Sequence, residues 1–139
     1  MAYIQFENIV KEFDAGTVAL RGVSLSVEKG ELATLLGPSG CGKSTLLRCL
    51  AGLEAVTSGK IYLDNYDITG LSPKQRAIGM VFQQYSLFPN LTVEQNVGFG
   101  LHIKKLDKAL IKEKVLSMLD TVGLSEKLKS YPNQLSGGQ

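Results

Sequence analysis

A single histidine and only two cysteines leave this chain short of the residues that build metal centres and disulfides. Cys41 and Cys49 have no partner Cys or His at metal-ligand spacing, so two reduced thiols are expected, not a zinc site or a disulfide bridge. Charge of one sign is lacking too. Lys and Arg number 15 against 13 Asp and Glu, a net charge of +2, which gives no electrostatic footing for nucleic acid, and no such partner is expected. Long apolar runs are missing: none approaches the ~20 residues that span a bilayer. Met1-Ala2-Tyr3-Ile4-Gln5-Phe6 has neither the basic nor the long apolar region of a signal peptide, so the chain is expected to stay in the cytoplasm. Internal repeats and low-complexity linkers are absent as well. With 139 residues and 44% hydrophobic side chains, the chain should bury roughly two-thirds of its unfolded surface around one core.

What is present is concentrated in Gly37-Pro38-Ser39-Gly40-Cys41-Gly42-Lys43-Ser44-Thr45, which fits the phosphate-loop pattern G-x-x-x-x-G-K-[ST]. Gly37, Gly40 and Gly42 free the backbone to turn sharply and bring successive N–H groups towards an anion. Lys43 supplies a point charge for the outer phosphates, and the Ser44 hydroxyl suits a magnesium ion that keeps most of its waters. The run Leu32-Ala33-Thr34-Leu35-Leu36 reads as a buried strand, while Leu46, Leu47 and Leu50 recur at helical spacing. The loop is thus expected to join a strand to a helix start, where the dipole and free N–H groups add to the pull on phosphate. Cys41, inside the loop, is a thiol expected to react when the loop is empty. The loop alone leaves kinases, GTPases, helicases and transport ATPases open.

Residues 3–13 and 18–27 alternate apolar and polar positions on either side of Asp14-Ala15-Gly16-Thr17, the pattern of an antiparallel hairpin. Phe13 closes the first run, and its ring suits either the hairpin's own core or stacking on an adenine. Another strand is expected at Lys60-Ile61-Tyr62-Leu63, then a turn or short helix opened by Pro73. Ala77-Ile78-Gly79-Met80-Val81-Phe82 reads as a second buried strand ending at Gln83. Beyond Gln83 the period turns helical. Thr92 and Gln95 make a capping box. Leu110, Ile111, Val115, Leu116, Leu119 and Val122 mark a helix from about 107 to 122, closed by Gly123.

Leu135-Ser136-Gly137-Gly138-Gln139, standing after a matching phosphate loop and after Gln83, makes residues 3–139 resemble the nucleotide-binding subunit of ABC transporters. Residues 37–47 and Val81-Phe82-Gln83-Gln84-Tyr85-Ser86-Leu87-Phe88-Pro89 look closest to importer subunits for polyamines, ferric iron, sugars or phosphonates. The resemblance implies an α/β fold, a P-loop NTPase core with an N-terminal antiparallel β-subdomain and a helical subdomain, here truncated. Residues 1–83 would form the β-subdomain and core, and 84–139 the helical part up to the signature. ATP and Mg2+ are the implied cofactors. Phe13 falls where the family's adenine-stacking aromatic stands, a position more often Tyr. Ser39, Gly40, Cys41, Gly42, Lys43, Ser44 and Thr45 would hold the phosphates, and Ser44 with Gln83 would complete the magnesium shell. Ser136, Gly137, Gly138 and Gln139 would meet the terminal phosphate of ATP bound to a second ATPase subunit in a head-to-tail dimer. The apolar segment 85–89 implies docking to transmembrane permease subunits, and so a peripheral place on the cytoplasmic face of the membrane.

In the family, hydrolysis needs a strand ending in Asp for the metal, a Glu that polarises water and a later His, all after the signature. Asp64 precedes Gln83 and is followed by Asn65, Asp120 lies on an expected helix and is followed by Thr121, and His102 stands upstream of the signature. None of these fills the missing roles. The parent is therefore expected to be an ABC-type ATPase, and this chain to bind nucleotide weakly at best and not to hydrolyse it. The absent strands would lie between those at 32–36 and 77–82. Each buried backbone group left unpaired costs on the order of 1–3 kcal/mol, so self-association by strand pairing or swapping is expected. Two other classes keep part of the pattern: a non-catalytic nucleotide-binding or interaction module that uses the phosphate loop alone, and a soluble ABC ATPase without a permease.

Overall fold

The alternating residues near the start fold into a long hairpin, in which β1 (Ala2–Phe13) runs antiparallel to β2 (Thr17–Glu28), from Ala2 opposite Glu28 to Phe13 opposite Thr17. The structure is a computed structural model, and it describes residues 2–14, 16–82 and 86–139. β3 (Ser58–Leu63) pairs with the other side of β1, and the short β4 (Tyr66–Asp67) pairs with β3, giving the antiparallel order β2-β1-β3-β4. α1 (Lys43–Ala51) sets Leu46 and Cys49 into the cluster formed by Phe6, Ile9, Leu20, Ile61 and Ile68. Ile9 and Ile61 are fully buried there, and each such side chain contributes about 1.5–3 kcal/mol relative to exposure.

The two apolar runs at 32–36 and 77–82 are not strands. Both are irregular, with Leu32 92%, Leu36 89% and Val81 96% exposed. A strand exists through its neighbours' N–H and C=O groups, and among the described residues no strand lies beside either run. Apolar composition alone could not supply that pairing.

The chain divides into two units, Met1–Met80 and Val81–Gln139, each with its own buried cluster, so the single core expected from length is split. In the second unit α2 (Val93–Ile103) starts at Thr92, whose N–H donates to Gln95 Oε1 at 2.9 Å while the Gln95 N–H donates to Thr92 Oγ1 at 3.3 Å. The capping box read from the sequence is thus formed. The next free donors, Val93 and Glu94 N–H, reach the carbonyls of Ser130 and Leu128 at 2.9 and 3.0 Å. α3 (Lys108–Thr121) is capped by Asp107 and buries Ile111, Val115 and Leu119 at helical spacing. Gly98 lets α2 approach α3, since a Cβ there would stand 3.3 Å from Val115 Cγ2.

Candidate nucleotide-binding site

The phosphate loop turns into α1 at Gly42, whose φ of 95° lies in the left-handed region. A Cβ at Gly42 would come within 2.6 Å of the Ala19 carbonyl oxygen and 2.8 Å of Leu20 Cδ2. β2 therefore presses on the loop through a gap that only a hydrogen fits. At Gly37 a Cβ would come within 2.8 Å of Cys41 Sγ, whereas at Gly40 it would meet open space. No side chain caps α1 and no acid stands in its first turn. Its leading N–H groups thus present the positive end of the helix to an anion without a competing acceptor.

Lys43 Nζ donates to the carbonyl oxygens of Gly37 and Pro38, each at 2.7 Å, with Cys41 Sγ 3.3 Å away. The ammonium is held by two neutral acceptors of its own loop. A phosphate would compete well for it, because it brings a full negative charge against the ammonium where a carbonyl offers only a dipole. Ser39, Gly40, Cys41 and Ser44 are exposed, while Gly42, Lys43 and Thr45 are half-buried. This donor set, cationic and main-chain, suits a polyphosphate, and the exposed Ser44 hydroxyl suits a cation beside it.

Phe13 ends β1 with 37% of its surface exposed, so it is not a core residue of the hairpin. Lys11 Nζ lies 4.7 Å from its ring centroid and also 3.4 Å from Glu54 Oε2. Leu20, which bounds Gly42, pairs with Lys11. The hairpin end that carries Phe13 is thereby tied to the strand that presses on the loop. Burial raises the Cys49 thiol above its ordinary range, while Cys41 is exposed.

Ser136 and Gln139 close on each other: Ser136 N–H donates to Gln139 Oε1 at 3.0 Å and Gln139 N–H to Ser136 Oγ at 3.4 Å. This is the reciprocal pairing of a helix start. A cleft of about 340 Å³ runs beside it, lined by Ser86, Leu87, Pro132, Leu135, Ser136 and Gly137 among others. The structure thus gathers residues 39–45 in the first unit and 136–139 in the second. Gln83 lies outside the described residues.

Two side chains passed over in the sequence organise these regions. Arg76 is 3% exposed. Its guanidinium donates to four main-chain carbonyls: Nε to Leu71 at 2.8 Å, Nη1 to Cys49 and Leu50 at 2.6 and 2.9 Å, and Nη2 to Thr69 at 2.7 Å. Desolvation lowers its affinity for the proton, yet the charge is retained, since each bond to a charged donor contributes about 1.5–3 kcal/mol. Asn96 is the second. Its Nδ2 donates to the carbonyls of Phe88, Leu91 and Thr92 at 3.1, 3.0 and 3.0 Å, and its Oδ1 accepts from Phe88 N–H at 2.9 Å. Phe88 in turn packs on Phe99 with ring centroids 4.4 Å apart. An Asn inside a helix, a position it tends to avoid, was a usable signal. Arg76, beside Lys74 in a polar turn, offered none.

Comparison with known proteins places these features in a family. The family model described as ABC transporter matches residues 20–139. A probable sulfate/thiosulfate import ATP-binding protein CysA of Chlorella vulgaris is 53% identical over 136 residues, covering 98% of this chain and 57% of that protein. The putrescine transport ATP-binding protein PotG of Escherichia coli (strain K12) is 51% identical over 136 residues, covering 98% of this chain and 36% of its own. The chain thus spans between about a third and somewhat over half of the length of the curated relatives it matches. A solved structure described as the dimeric post-hydrolysis state of the ATP-binding cassette MJ0796 bound to ADP and Pi is 34% identical. It superposes with a TM-score of 0.88 over 98% of this chain and 64% of that one. The α/β P-loop NTPase class expected from the sequence holds.

Proposed function

This chain belongs to the ABC transporter family, and from that premise we propose that it is the N-terminal part of an importer's ATP-binding subunit. Residues 1–83 form its β-subdomain and core, and 84–139 its helical subdomain. The subunit couples ATP binding and hydrolysis to solute uptake through separate permease subunits, and it sits at the cytoplasmic face of the membrane. Among the described residues no helix is long and apolar enough to cross a membrane. Relatives named for sulfate/thiosulfate, putrescine, sn-glycerol-3-phosphate and ferric iron import support the importer reading. Their variety leaves the solute unassigned.

The observation that carries this reading is the loop itself: Lys43 beside an uncapped helix start, with Gly42 wedged against β2. In it residues 39–45 bind the phosphates of ATP, Lys43 leaving the Gly37 and Pro38 carbonyls for them. Ser44, together with Gln83, would hold Mg2+, which would supply charge neutralisation for the phosphates. Phe13, part of whose ring is exposed at the end of β1, offers a surface for adenine to stack on. Residues 136–139 meet the terminal phosphate held by a second subunit in a head-to-tail dimer. The chain by itself does not hydrolyse ATP, because no Asp–Glu pair follows an apolar strand in it.

Calorimetric titration with Mg-ATP, beside Lys43→Ala and with phosphate release followed in parallel, tests the proposal. Weak binding lost in the variant, with no release, is the expected result. Equal binding by both proteins would refute the assignment of the loop, and sustained release by the wild type would refute the absence of catalysis.

A further inference from the structure

The end of β1 that carries Phe13 is held by the stretch that follows the phosphate-loop helix. Where α1 ends, the N–H groups of Leu53 and Glu54 both donate to the Arg48 carbonyl, at 2.9 and 3.3 Å, so the helix's last turn sets the place of Glu54. Glu54 Oε2 lies 3.4 Å from Lys11 Nζ, and the two side chains are 28% and 13% exposed. Main-chain links run beside this pair: Thr57 N–H donates to the Val10 carbonyl at 2.8 Å, and Glu12 N–H donates to Thr57 Oγ1 at 2.9 Å. The same Lys11 ammonium stands over the Phe13 ring, 4.7 Å from its centroid. Lys11 thus has two partners of different kinds, a carboxylate that anchors it and a ring that it holds. Partial burial strengthens the attraction between a cation and the negative face of a ring. At 37% exposure, Phe13 is confined little by packing alone.

We propose that Lys11 is a positioning residue for the nucleotide base: braced by Glu54 at the exit of α1, its ammonium fixes the Phe13 ring where it stacks on adenine. This rests on the reading of Phe13 as the stacking aromatic given above. A ring held beforehand loses less rotamer freedom when the base arrives, and that saving appears as affinity. The effect belongs to the base and not to the phosphates. The charge of Lys11 is already matched by Glu54, and the Lys43 ammonium is held by Gly37, Pro38 and Cys41 alone among its hydrogen-bond partners. Removing the Lys11 side chain therefore leaves the anion site of residues 39–45 as it was and frees the ring.

Titrations of the whole chain with Mg-ATP and with Mg-tripolyphosphate, followed by NMR, measure the nucleoside's share of affinity as the advantage of the first ligand over the second. Phe13→Ala is expected to cut that advantage about fivefold or more, and Lys11→Met about two- to fivefold. Binding of tripolyphosphate should stay within about twofold of the wild type in both. Nuclear Overhauser contacts between the Phe13 ring and adenine should weaken in Lys11→Met. Lys11→Arg, which keeps a cation for both the ring and Glu54, should restore the advantage. Added to Phe13→Ala, Lys11→Met should change nothing further, because the ring through which it acts is gone. If Lys11→Met does not fold because Glu54 is left unpaired, Lys11→Met combined with Glu54→Gln serves in its place. An unchanged or larger advantage in Lys11→Met, beside a loss in Phe13→Ala, overturns the proposal and leaves the stacking reading standing. An equal loss for both ligands assigns Lys11 a structural or phosphate-attracting role and also overturns it, as does a further loss in the double variant. A Phe13→Ala protein that keeps the advantage, or a wild type that binds neither ligand, brings down the reading of the site and this inference together.

Discussion

Replacing Gly42 with alanine separates two costs that are usually confounded at a phosphate loop. An alanine with φ near 95° pays for the left-handed backbone, about 1–2 kcal/mol, and its Cβ would sit 2.6 Å from the Ala19 carbonyl oxygen and 2.8 Å from Leu20 Cδ2. Neither neighbour is the free end of a flexible side chain: one is the backbone of β2 and the other a core residue 4% exposed. Relief requires β2 and α1 to part, an overpacking cost of roughly 1–3 kcal/mol. Gly40 has φ 81° with nothing within 4 Å of a built Cβ, so Gly40→Ala carries the backbone cost alone. At a urea dependence of about 2 kcal/mol per molar, the two variants should differ in unfolding midpoint by roughly 0.5–1.5 M, with Gly42→Ala the lower. Urea unfolding followed by far-UV circular dichroism, with the slope required to stay constant, reads this directly. Equal midpoints, or a lower one for Gly40→Ala, would refute the claim that β2 closes on the loop.

Other consequences can be checked at separate places. Asn96→Ala should cost about 1–3 kcal/mol, and Asn96→Asp at least as much, since three carbonyls would then face a carboxylate; faster amide exchange at Phe88 is the readout, and unchanged exchange would deny the clamp. Under native conditions a maleimide should label Cys41 and spare Cys49, which is 0% exposed, with both labelled in denaturant and ATP slowing the native reaction; mass spectrometry of the labelled peptides decides. Hydrogen bonds from Thr69 hold the Asp67 carboxyl below its ordinary range, with Lys60 adding to the effect. Its stabilising contribution is therefore complete above the unfolded value and lost as pH falls through the folded one. Asp67→Asn should thus be the less stable protein at neutral pH and converge on the wild type in acid, and a constant difference across that range would contradict this. Leu36→Lys should lower the mass seen by light scattering if the exposed 32–36 run drives self-association, whereas an unchanged mass would remove that run as the cause.

Local chemistry made much of this protein legible before any fold was known. The glycines and lysine of residues 37–45, the alternation either side of Gly16, the Thr92–Gln95 box and the Asp107 to Gly123 helix each act within a few residues of themselves. Their outcomes were set by neighbours in sequence, and the loop, the hairpin and both helices formed where those signals stood. The runs at 32–36 and 77–82 are the counter-example, because an apolar run becomes a strand only when another strand accepts its hydrogen bonds, and none does among the described residues. The site's deeper logic was likewise tertiary. Gly42 needs its missing side chain because β2 lies against it, and Asn96 matters because the 88–92 loop returns to its amide. Arg76 looked like one more polar turn residue until folding brought the carbonyls of Cys49, Leu50, Thr69 and Leu71 around it. Motifs announce themselves because their parts are adjacent in sequence. A buried charge becomes visible only when distant parts of the chain converge to satisfy it.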